Sequence, residues 1–198
     1  MRTALGALAI ALLLGTTSFA SIIYYSANLV GSLENPPTGS PGTGSALVIL
    51  DTTAQTLSVH VTFSGLEGTT TASHIHCCTA APGTGDAGVA TTTPTFAGFP
   101  LGVMSGTYDN VLDLTLSSSY NPAFVTAQGG LANAESALLA GLAANETYLN
   151  VHSSIFGGGE IRGYLATPEP GMFLATGAVL AGLLSGVGLA RLRALLFS

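Results

Sequence analysis

From Thr53 the chain reads TAQTLSVHVTFSGL, and within it Leu57, Val59, Val61 and Phe63 alternate with Ser58, His60 and Thr62. A side-chain period of two places the first set on one face of a strand and the second on the other. A helix would scatter both sets around its circumference, so this stretch commits the chain to a sheet with one buried face. Similar short runs recur. SIIYYSANLVGSL from Ser21 is rich in β-branched and aromatic residues, and SALVILD ends at Asp51. The pair SALVILD and TAQTLSVHVTFSGL reads as a hairpin turning near DTTAQ. TYLNVHSSI sets Tyr148, Asn150 and His152 on one face and Leu149 and Val151 on the other, and GGGEIRGYLA closes the series. GVMSGTYDNVLDLTL supplies another strand or two, ending near Leu116.

Between these runs lie breakers. ENPPTGSPGTGS, beginning at Glu34, is dense in Pro and Gly and reads as a loop, as does the Gly/Pro/Thr-rich segment from Thr79 to Pro100. NAESALLAGLAANE has helical composition with Leu138, Leu139 and Leu142 along one side. It predicts a short helix near 131–143, with Asn145 capping beyond its end. Many short strands, Gly/Pro turns and one helical insert indicate an all-β fold, an antiparallel Greek-key β-sandwich.

Only 7% of the 198 residues are charged, against roughly 25% in an average soluble domain. The ends account for part of the gap. The start, MRTALGALAIALLLGTTSFAS, has an early Arg2, an apolar run too short to span a bilayer, and Ser18 and Ala20 before a cleavage point at Ser21. Residues 1–20 read as a signal peptide. At the other end no charge occurs from Gly171 to Ala190, and Arg191 and Arg193 follow. That stretch reads as a transmembrane helix over about 171–190, with its basic end cytoplasmic. One domain, 21–167, is left outside the cytoplasm. Its acids outnumber a single base, Arg162, and Lys is absent. Such a surface cannot neutralise a row of phosphates, so nucleic acid is excluded as a partner. No EF-hand loop, no G-x-S-x-G elbow and no paired catalytic carboxylates stand out.

The most concentrated chemistry is in ASHIHCCTAAPGTG. His74 and His76 stand directly before Cys77 and Cys78, the only cysteines of the chain. Two histidines at i and i+2 of a strand face one side and can aim at one point. Nitrogen donors so arranged suit copper, and a third must come from elsewhere. His152 is the best candidate, on a strand beside a Gly-rich turn. His60 is a fourth candidate, with an exposed or hydrogen-bonded surface histidine as its plain alternative. In an oxidising compartment Cys77 and Cys78 have three fates: a vicinal disulfide, pairing between molecules, or thiolates holding a soft metal. The vicinal disulfide is the first choice.

Three resemblances add to this reading. Pro168–Glu169–Pro170, then an apolar helix, then a short Arg-containing tail, resembles the PEP-CTERM sorting signal. This implies handling by signal peptidase and an exosortase, inner-membrane anchoring before processing, and release or transfer to a cell surface associated with exopolysaccharide. The resemblance covers residues 168–198. TFSGLEG and SHIHCC, followed late by YLNVHSSIFGGGEIRGYL, resemble the CHRD domain over about 25–166, with His74–Ile75–His76, Val151–His152 and Gly158 to Gly163 as the matching motifs. A fainter likeness links H-x-H and the later V-H to Cu,Zn superoxide dismutase, where such histidines ligate copper. It implies copper at His74, His76 and His152. The loop after His76 has no bridging histidine and no zinc set, and the steering arginine has no clear match. Together these imply an exported, non-enzymatic surface or matrix protein, with a copper-binding or redox protein as the alternative and dismutase-like activity as the main enzymatic one.

Overall fold

The computed structural model describes residues 21–168. The expected signal peptide, Glu169, Pro170 and the helix expected over 171–190 lie outside the described residues. Seven strands run β1 (Ile22–Val30), β2 (Thr43–Asp51), β3 (Thr56–Ser64), β4 (Thr70–Cys77), β5 (Gly106–Asp113), β6 (Thr147–Ser153) and β7 (Ile161–Tyr164). Two helices, α1 (Pro122–Gln128) and α2 (Leu131–Ala143), sit between β5 and β6. Among the described residues no helix is long and apolar enough to cross a membrane.

All strands pair antiparallel in one sheet of order β4-β6-β7-β1-β2-β3-β5, curled into a half-barrel. The expected all-β antiparallel fold is present, its strands joined in a single curled sheet. Period-two alternation says which face of a strand is buried; a curled sheet and a sandwich satisfy it equally. The chain makes the meander β1-β2-β3, crosses to one edge for β4, crosses to the other for β5, and returns for β6 and β7.

The expected hairpin is present, with Asp51 opposite Thr56. Its turn is held by the Asp51 carboxylate, which accepts from the backbone N–H groups of Thr53 and Ala54. Leu57, Val59, Val61 and Phe63 all point into the core. Rows of partners cross the sheet there, such as Ala27, Ala46, Val61 and Tyr108. The helical insert is two helices where one was expected. The first starts at Asn121, whose side chain accepts from the Ala123 N–H, with Pro122 in the first turn. Its Phe, Val and Thr are weak helix formers, which hides it from a propensity reading. The second matches its expected span and buries Ala134, Leu138, Gly141 and Leu142 on one stripe. Asn145 lies just past its end in the left-handed region that ends helices (φ 61°).

Two strands differ from the rest. Strand β6 is buried at every position, and β4 from Ser73 to Cys77. One face of the pair, with Ile75, Leu149 and Val151, joins the apolar core. The other carries His74, His76, Tyr148, Asn150 and His152. It is covered by the Thr79–Pro100 segment, which also runs along the outer edge of β4. The N–H of Cys77 donates to the Gly88 carbonyl, those of Ala90 and Thr91 to the Ile75 carbonyl, and that of Phe96 to the Ser73 carbonyl. An open strand edge is thereby closed, and Ala90 and Phe96 anchor the segment in the core.

Candidate metal centre

The pairing of β4 with β6 sets His74 opposite Asn150 and His76 opposite Tyr148. His152 follows Asn150 on the same face by the strand period. The three rings converge, with centroids 5.2 Å apart for His74–His152, 5.8 Å for His74–His76 and 6.1 Å for His76–His152. One nitrogen from each lies within 4.8 Å of the other two.

Hydrogen bonds identify which nitrogens these are. His74 Nε2 is 2.7 Å from the Pro94 carbonyl oxygen, His76 Nδ1 is 2.9 Å from that of Ala87, and His152 Nδ1 is 2.9 Å from that of Gly157. A carbonyl only accepts, so each of these nitrogens carries the hydrogen and donates it. The opposite nitrogen of each neutral ring is then a bare lone pair: His74 Nδ1, His76 Nε2 and His152 Nε2. His74 Nδ1 and His152 Nε2 face each other at 3.3 Å, and buried His76 Nε2 has no partner. Three acceptors turned on one another suit a cation between them. A proton is disfavoured, because burial pushes the His74 and His76 rings from 6.5 down to about 4 and lowers His152 as well. A metal ion is the other candidate. Ligating histidines typically donate their second N–H to a carbonyl or carboxylate, which sets tautomer and ring orientation. Here all three do.

The fit is close in distance. Two imidazoles bound at 2.0–2.1 Å to one ion lie no more than about 4 Å apart. The 3.3 Å pair already meets this limit. The widest separation, at most 4.8 Å, closes by less than about 1 Å, a movement within reach of side-chain rotation.

Around the rings is a second layer. The His76 ring stacks on Tyr148 (4.6 Å, 11° between planes), and the Arg162 guanidinium lies 4.6 Å from the Tyr148 ring centroid. Tyr148 Oη donates to the Ala87 carbonyl and accepts from the Ala87 N–H. Buried Arg162 pairs with Asp86 at 2.7 Å, donates to the Leu33 carbonyl, and lies 3.7 Å from Glu34. One loop stretch, Asp86–Ala87, therefore ties the arginine, the tyrosine and His76 together.

The other sequence candidates lie elsewhere. His60 is on the outer face of β3, paired with Asp109 across to β5 at 2.5 Å, and takes no part in the centre. Cys77 and Cys78 are joined to each other. The strand period turns Cys77 away from His76, and both sulfurs face α2 at Gly141. Thiolate ligation beside the histidines is thus ruled out by direction. Glu160 is buried on its own partners, the Ser40 hydroxyl and the N–H groups of Glu67 and Gly68. Tyr148 and Asn150 were legible from their period with His152. Glu34, Asp86 and the carbonyls of Ala87, Pro94 and Gly157 were not, since loop closure brings them in.

Comparison with curated proteins and with solved structures finds no match. A family model, the CHRD domain, matches residues 25–165, which takes in every strand from within β1 onward and all three histidines. Domains of this kind are typical of extracellular proteins. The chain therefore belongs to the CHRD-domain family.

Proposed function

We propose that this is an exported, non-enzymatic cell-surface protein whose CHRD domain holds one transition-metal ion, copper first, on His74, His76 and His152. The observation that carries the metal reading is the set of outward N–H groups, each held by a backbone carbonyl, with the three bare nitrogens turned inward. Three neutral imidazoles without a carboxylate or thiolate suit copper, zinc or nickel, and divalent copper heads the affinity order for such donors. Export and surface delivery are supported by the family and by the character of the two ends. On this reading signal peptidase and an exosortase process the chain, the C-terminal helix anchors it beforehand, and the mature domain sits among exopolysaccharide.

Metal analysis of the protein exported to a periplasm, after dialysis against a weak chelator, tests the metal reading. The expected result is about one copper ion per chain in the wild type and at least a 100-fold weaker hold in His152→Ala, since loss of even an orienting group around a site costs 10–100-fold. Equal metal content in the two proteins, or none in either, contradicts it. Superoxide turnover well above that of free copper would contradict the non-enzymatic part.

A further inference from the structure

Among the buried polar atoms without hydrogen-bond partners are His76 Nε2, Asn150 Oδ1 and Glu34 Oε1. Asn150 is the middle member. Its amide is close enough to His76 to influence the ring's basicity. Its Nδ2 faces the bare side of Gly159, where an added Cβ would lie 2.7 Å from Nδ2 and 2.5 Å from Glu34 Oε1. The amide thus bridges from the metal-facing ring to a buried carboxyl. Unpaired buried polar atoms are costly, and Asn150 stands next to both of the others.

The amide can lie two ways, its ends being alike in shape. With nitrogen toward the ring, it donates to His76 Nε2 and its oxygen accepts from a protonated Glu34. All three atoms are then satisfied with no metal present. With oxygen toward the ring, as in this structure, the pair of acceptors suits a cation at His76; Nδ2 faces the Glu34 side and reaches an ionised Oε1, unpartnered here, by a small side-chain movement. We propose that Asn150 is a positioning residue of the three-histidine centre, whose amide turns when metal binds and so couples loading of the ion to release of the Glu34 proton to solvent.

This rests on the metal reading above. Groups facing Glu34 set its charge balance: Arg162 from β7, Asp86 from the covering loop, and the hydroxyls of Tyr148 and Tyr164. Burial, opposed by Arg162 and aided by Asp86, raises the Glu34 carboxyl to about 7, so near pH 6 it is mostly protonated in the metal-free protein.

The test is calorimetric titration of zinc(II) into the metal-free full chain near pH 6, in buffers of differing ionisation enthalpy. The readout is protons released per ion. Wild type should release close to one more than Glu34→Gln, and Asn150→Leu should lose the same increment. Infrared difference spectra of the wild type, which need no variant, should show a carboxylic acid carbonyl band vanish on zinc addition. Equal proton release by wild type and Glu34→Gln, or an unchanged band, overturns the coupling while leaving the centre intact. No uptake of zinc or copper by the wild type overturns the centre and the coupling together.

Discussion

At the scale of single residues, the buried ionisable groups pull stability in opposite directions with pH. The folded pKa of His74 and of His76 is depressed to about 4 from 6.5, chiefly by burial. Their contribution to the metal-free protein is present above pH 6.5 and is lost as pH falls toward 4. Glu34 is raised from 4.5 to about 7. Its contribution is full below pH 4.5 and is lost as pH rises through 7. Two histidines outweigh one carboxyl on the acid side, so denaturation of the metal-free protein should show greatest stability between about pH 6 and 7. A profile flat from pH 4 to 7 would contradict the burial of these rings. The histidines were legible in the sequence because strand period alone sets His74 beside His76. Their depressed basicity was not, because it comes from a covering loop whose Gly, Pro and Thr carry no period.

At the scale of elements, β4 does two jobs on its two faces. Ile75 is fully buried in the apolar core, while its neighbours on either side, His74 and His76, face the three-histidine cluster. Ile75→Ala should cost about 2–5 kcal/mol in denaturant unfolding yet leave metal stoichiometry unchanged. Loss of metal along with stability would mean that the two faces are not separable. The contact of β4 with α2 is similarly exact. A Cβ on Gly141 would meet the Cys77 and Cys78 sulfurs at 2.6 Å each. Gly141→Ala should therefore lower stability by about 1–3 kcal/mol through overpacking, and an unchanged unfolding midpoint would count against this packing. The span of α2 was readable from its leucines. That its glycine is a seat for the disulfide was not, since nothing local to Gly141 points to Cys77 and Cys78, far earlier in the chain. Helix α1, in NPAFVTAQ, has a capping asparagine and a proline, signals outweighed in a propensity reading by Phe, Val and Thr.

At the scale of the whole molecule, the half-barrel explains why the late V-H motif completes the H-x-H pair. The chain places β4 at one edge and β5 at the other before β6 returns to pair with β4, so residues 74 and 152 meet only once the sheet is assembled. Alternation along each strand foretold the inward and outward faces but not this order, which is why a two-sheet arrangement was the natural expectation. Family membership covers the same span as the described strands, and the histidines belong to the fold rather than to an appended loop. The direct test of the centre is X-ray absorption on the copper-loaded protein. It should show three imidazole nitrogens at about 2.0 Å from one copper ion and no sulfur neighbour. Fewer than three imidazoles, or a copper–sulfur distance in the spectrum, would contradict a centre built from His74, His76 and His152.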